Sequence, residues 1–309
     1  MTTLAHDSDL FRPEGVGVGR PLSVAPWLGS KGVMAETIVE QLGEHRSYFE
    51  PCCGGCSVLL RKPACAHEIV NDLNADLVNL LEVLRDRDGA RQVEDELART
   101  TVSELTFTNA KARMLEPGPD RVGSHQVIDE RRVRRAIDTF VVWWMGCGGH
   151  AGEPVRKARL SVRWSNGGGS APSRFDSARR CIEFVRERLQ TVTVLCRDAH
   201  LVVDHIPDED GVAVYLDWPY IGEGHQYAHD AVDHQRMAAA LNRFNRTRII
   251  VSEYDRPETR AMFEGWWMLD CSRTKQLASQ GAGAGEIAPE ALFLNQPPIG
   301  SMAGKGVRP

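Results

Sequence analysis

The chain reads as an α/β protein: an open, mostly parallel sheet of seven strands, interrupted by an inserted helical segment. Three observations carry this. Short apolar runs bounded by turn formers alternate with helical periodicity at both ends of the chain. Between about 85 and 190 the alternation stops and only helical pieces and Gly-rich loops remain. That interval is also basic: Arg131 to Arg188 holds 13 basic and 5 acidic residues, a balance of +8, which leaves −13 on the rest of a chain of net charge −5. A basic middle on an acidic body suits a polyanion bound on one face, and equally suits a solvated helical surface.

Taken in order, residues 1–22 are polar and aperiodic and are expected to form a mobile tail. A sheet domain spans 23–84 and 191–300, a helical insert 85–190, and a second mobile tail 301–309. Strands are expected at Ser47–Glu50, Glu68–Asn71, Thr191–Cys196, Val212–Asp217, Thr247–Glu253, Trp266–Cys271 and Ala291–Asn295. Helical spacing joins Val33, Ile38 and Leu42, then Leu77, Leu80, Leu81 and Leu84, then Met237, Leu241 and Phe244. Inside the insert, Ala90–Thr100, Arg131–Met145 and Ser177–Leu189 read as helices.

Composition excludes some classes. With 309 residues and 42% hydrophobic content the chain can bury a sizeable core. The longest apolar stretch, Phe140 to Cys147, is far short of the roughly 20 residues a bilayer needs, and a cytoplasmic location is expected. Eight scattered cysteines, Cys52 and Cys53 adjacent, read as reduced thiols. Cys53, Cys56, Cys65 and His67 admit a zinc reading, but small residues in a Gly-rich turn explain them more simply, and no metal is expected.

Three clusters carry chemistry. Glu50-Pro-Cys-Cys-Gly54-Gly55 follows the first strand, where glycines let the backbone approach a ligand and the next helix directs its dipole at it. Asp72, beyond the second strand, is placed for ribose hydroxyls or, alternatively, for capping a helix. Asp217-Trp-Pro-Tyr220 ends an apolar run in a carboxylate, a proline and an aromatic, a set able to hold a planar amine and stack the ring that bears it.

With Trp27-Leu-Gly-Ser-Lys31 in front, the ordered set resembles the Dam-type adenine-specific DNA methyltransferases, whose Trp-x-Gly-Gly-Lys, Glu-Pro-Phe-x-Gly-Gly, Asp-x-Asn and Asp-Pro-Pro-Tyr segments occur in this order around a long insert. The likeness continues through Tyr227-Ala-His-Asp230, His234, Val251-Ser-Glu-Tyr-Asp255 and Leu292-Phe-Leu-Asn295. In the insert, Arg163-Trp-Ser-Asn-Gly-Gly-Gly169 and Ser173-Arg-Phe-Asp-Ser177 resemble phage and prophage members.

The resemblance implies a Rossmann-like S-adenosylmethionine-dependent methyltransferase sheet and an insert that recognises double-stranded DNA. It implies cofactor contacts from Trp27, Lys31, Glu50, Gly54, Asp72 and Asp217, and an adenine flipped out of the duplex. Asp217 and the carbonyl of Trp218 would accept from the adenine amine, Tyr220 would stack on the ring, and Pro219 belongs to the same catalytic segment. Phosphate contacts are expected from Arg131, Arg132, Arg134 and Arg135 and from Arg156, Lys157 and Arg163. A cognate restriction nuclease is a partner the resemblance allows. One departure stands out: Trp218 occupies the place of the first proline, which motivates an alternative in which a weakened relative binds DNA or cofactor without turnover.

Overall fold

The computed structural model describes residues 23–27, 29–32, 34–118, 128–147, 151–162, 170–222, 232–274 and 287–308. The first half of the sheet domain runs α1 (Ala35–Leu42), β1 (Ser47–Glu50), α2 (Ser57–Arg61), β2 (His67–Asn71) and α3 (Ala75–Arg85). The insert contributes α4 (Arg87–Arg99), α5 (Glu104–Leu115), α6 (Glu130–Met145), α7 (Ala171–Arg179) and α8 (Ile182–Leu189). The chain then returns through β3 (Val192–Leu195), α9 (Ala199–Asp204), β4 (Val212–Leu216), α10 (His234–Leu241), β5 (Arg248–Tyr254), α11 (Pro257–Met262), β6 (Trp267–Asp270), a short β7–β8 pair (Arg273–Thr274, Ile287–Ala288) and β9 (Glu290–Leu294).

The main sheet has seven strands in the order β3-β2-β1-β4-β5-β9-β6. Neighbours from β3 to β5 are parallel, and β9 runs antiparallel between β5 and β6. From β1 the chain steps outward to β2 and β3, then crosses to the other side with β4. Strand order therefore reverses between β1 and β4, and a ligand crevice opens beyond their carboxyl ends. β4 is buried at every position, as expected of a strand covered on both faces.

The insert is not a separate globule. Val133, Ala136, Ile137, Phe140, Val141 and Trp144 of α6 share one hydrophobic cluster with Leu77, Leu80, Leu81 and Leu84 of α3 and with Tyr48, Val70 and Ala213 of the sheet. A second cluster, built on Val214, Leu216, Ile249 and Val251 with α10 and Phe263, contains Trp218.

Two departures from the sequence pattern bear on the packing, beyond shifts of one to three residues at other element ends. Ser177–Leu189 is two helices meeting at Arg180 and Cys181, and α7 begins earlier because the Ser170 side chain caps it, with Pro172 in its first turn. Residues 301–308, expected to be loose, pair Val307 with Met268 on the free edge of β6 by two hydrogen bonds of 2.7 and 3.0 Å. Covering that edge satisfies backbone groups that a bare edge would expose. Residues 1–22 lie outside the described residues.

Candidate active site

The turn after β1 is built so that little but backbone fills it. Gly54 has φ +45°, and a Cβ there would lie 2.8 Å from the Trp27 ring. A Cβ on Gly55 would meet the Ser23 hydroxyl at 2.0 Å. The Gly54 amide donates to Asp72 Oδ2 at 2.9 Å, and the Asn74 amide donates to Asp72 Oδ1 at 2.9 Å. Asp72 thus ties the β1 turn to the β2 turn. The cap of α3 is Asn74, whose side chain accepts from the amides of Asp76 and Leu77, so Asp72 is left to face the crevice. Burial raises the Asp72 carboxyl above its ordinary value, against three backbone N–H groups that pull it down.

Trp27 is held between the two halves of the molecule. Its ring lies against Gly54 at the five-membered end and against Gly152 of the insert at the six-membered end, where a Cβ would approach to 2.9 Å. Trp143 of α6 meets it edge-on at 5.6 Å, and Ala151 donates to the Pro26 carbonyl at 3.2 Å. The insert therefore supplies part of the crevice wall.

Lys31, 6% exposed, places its ammonium 2.9 Å from Asp217 Oδ1, 3.5 Å from Glu290 Oε1 and 4.8 Å from the centre of the Tyr220 ring, and donates to the Gly29 carbonyl at 2.7 Å. Burial pushes Asp217 up to about 6, while Lys31 opposes that rise. Glu50 is pushed up to about 8, again by burial, although the Tyr48 hydroxyl donates to it at 2.9 Å. Trp27, Lys31, Glu50, Gly54, Asp72, Asp217 and Pro219 all line one crevice that encloses about 930 Å³, its mouth included.

Positions 218 and 220 sit differently. The Trp218 indole, 1% exposed, turns away from the crevice into the core, where it stacks on Phe263 at 6.1 Å and donates to Glu253 Oε2 at 2.9 Å. The indole therefore adds no bulk to the crevice. Tyr220 is buried under Lys31, lies edge-on to Tyr254 at 4.7 Å and donates to Glu290 at 2.8 Å.

Asn71, Arg197 and Asp198 also line the crevice and escaped the sequence reading. The Asn71 amide donates to the carbonyls of Pro51 and Arg197 and accepts from the Arg197 amide, clamping the β3 loop to the β1 turn. An acid capping a helix just past a strand, as Asp198 does for α9, was the available signal.

The basic residues of the insert divide. Arg135 is 11% exposed and spends its guanidinium on Asp76 at 2.7 and 2.9 Å and on the carbonyls of Arg113 and Glu116. Arg132 pairs with Glu82 and donates to Asn79. Both lie inside the fold, where they bind α6 to α3. Arg131, Arg134, Arg156 and Lys157 are exposed, Arg134 pairing with Glu96 at 3.3 Å. Arg163, Tyr227–Asp230 and 166–169 lie outside the described residues. Among the described residues, no group of three His, Cys, Asp or Glu side chains could hold a metal ion, and no helix is long and apolar enough to cross a membrane.

Residues 27–142 match the D12 class N6 adenine-specific DNA methyltransferase family. The match takes in the Trp27–Lys31 segment, the β1 turn and Asp72, while Asp217–Tyr220 completes the motif order beyond it. Over residues 27–142 the chain carries that family's domain. It is an adenine-specific DNA methyltransferase, and its sheet is the mostly parallel one of that fold. No curated protein matches the methyltransferase.

Proposed function

We propose that this methyltransferase moves the methyl group of S-adenosylmethionine to the N6 amine of an adenine rotated out of double-stranded DNA at a defined sequence. The observation that carries this is the single crevice in which Trp27, Lys31, Gly54, Asp72 and Asp217, far apart in sequence, meet beyond β1 and β4. The residues fit the cofactor. Asp72 offers a buried carboxylate for ribose hydroxyls, Trp27 a flat apolar wall, and the Gly54 turn a backbone that approaches closely. Glu50, buried beneath the same turn, also lines the crevice. S-Adenosylmethionine, when bound, supplies an already activated methyl group on a sulfonium.

The rest is the work of this chain. Adenine's amine shares its lone pair with the ring, so acceptors on its N–H groups are needed to make it a nucleophile. The Asp217 carboxylate is one and the Trp218 carbonyl the other. Lys31 keeps Asp217 ionised and fixed in place. Stacking of the extruded base on Tyr220 exchanges the Lys31 contact with that ring for a base. Positioning in line with the methyl group supplies much of the rate. Exposed Arg131, Arg134, Arg156 and Lys157 meet phosphates, and loops of the insert read the bases. Withdrawal of the Trp218 indole from the crevice supports turnover over a merely binding relative.

The test is transfer of radiolabelled methyl from S-adenosylmethionine to unmethylated duplex DNA, followed by digestion to nucleosides. Label in N6-methyl-2′-deoxyadenosine is expected, and its loss by at least about 1,000-fold in Asp217→Ala with unchanged circular dichroism. Label in protein, in RNA or nowhere overturns the reading.

A further inference from the structure

A proline at position 218 would fix the loop after β4 by locking one φ angle. This chain has an indole instead, and something else must hold the loop. Four contacts converge on residues 217–221. The buried Glu253 of β5 accepts from the Trp218 indole at 2.9 Å and from the Ile221 amide at 3.2 Å through one oxygen, and from the Tyr254 amide at 2.7 Å through the other. His234 donates to the Pro219 carbonyl at 2.8 Å, and Arg256 donates to the Ile221 carbonyl at 2.6 Å. Phe263 stacks on the indole and His234 meets it edge-on. Glu253 is 0% exposed and lies outside the crevice, so it touches neither base nor cofactor.

We propose that Glu253 is a positioning residue: acting through the Trp218 indole and the Ile221 amide, it holds Asp217 and the residue 218 carbonyl in place, as a proline ring would by covalent constraint. This rests on reading the 217–220 loop as the amine-holding element. Glu253 and Trp218 then form one device, and each is of little use to the loop without the other.

The test is a double-mutant cycle on the full chain, read as single-turnover methyl transfer to duplex DNA, with cofactor affinity measured by calorimetry. Trp218→Phe keeps the ring packing and removes only the N–H. Glu253→Gln removes one acceptor. Each is expected to slow transfer by about tenfold, and the double variant to be about as slow as the slower single one. Cofactor Kd and KM for DNA should stay within about twofold, a split that general loosening of the fold would not give. Should Glu253→Gln fail to fold, Trp218→Phe alone decides by the same split. Transfer by Trp218→Phe within twofold of the parent, or losses that multiply in the double variant, would overturn the proposal while leaving the crevice reading intact. A parent chain that binds cofactor and DNA yet methylates no adenine overturns that reading first.

Discussion

At the scale of single residues, the role proposed for Asp217 ties methyl transfer to its charge state. The carboxylate must be ionised to accept from the amine, and burial holds it at about 6 while Lys31 pulls it down. Transfer should therefore fall about tenfold per pH unit below about 6. Lys31→Met removes the opposing cation, so the acid limb of the kcat/KM profile is expected about one pH unit higher, with activity near neutrality reduced. A limb that stays in place would show that the 2.9 Å pair does not set it. Asp217 and Lys31 could be picked out in the sequence from their motifs. The part played by Trp218 could not: in the sequence it is only the loss of a proline, whereas its indole is core. Proline there would leave an unfilled volume and strip Glu253 of a donor, so Trp218→Pro is expected to impair the enzyme rather than repair it.

At the scale of elements, the insert and the sheet are joined at two places with different consequences. Gly152 has φ +93° and lies against Trp27, so Gly152→Ala is expected to displace the indole and weaken cofactor binding about tenfold by calorimetry, although the residue belongs to the insert. The second junction is the α6–α3 strap. Arg135→Ala strands Asp76 and should cost about 2 kcal/mol of stability, less than the roughly 3–5 of a fully buried pair, with little effect on the salt dependence of DNA binding. Arg156→Ala with Lys157→Ala should do the reverse, lowering the slope of log K against log salt by about 2 at unchanged Tm. The sequence placed all of these arginines in one class, because side-chain type alone does not tell an arginine facing solvent from one facing an aspartate 59 positions earlier.

At the scale of the whole molecule, Glu50, Asp72 and Asp217 line one crevice and Glu253 stands behind its 217–221 loop. Glu50, Asp72, Asp217 and Glu253 are all raised, by burial first. Glu50 has the widest window: its ordinary value is 4.5 and its folded value about 8. Its contribution to stability is complete below about 4.5 and is lost as pH rises through about 8. Glu50→Gln, which mimics the protonated acid, should flatten the fall in Tm between about pH 5 and pH 8, as measured by thermal unfolding. An unchanged slope would remove Glu50 from that role.

The seven strands, the order of the motifs and the presence of a helical insert were already determined by the sequence, because period-two and period-3.6 patterns and turn residues are local signals. The tertiary structure alone decided which face each side chain takes: that Asn74, not Asp72, caps α3, that Gly152 of the insert closes on Trp27, and that the Trp218 indole finds Glu253 across β4 and β5. These depend on strand order and packing between segments up to 125 residues apart, which no local pattern encodes.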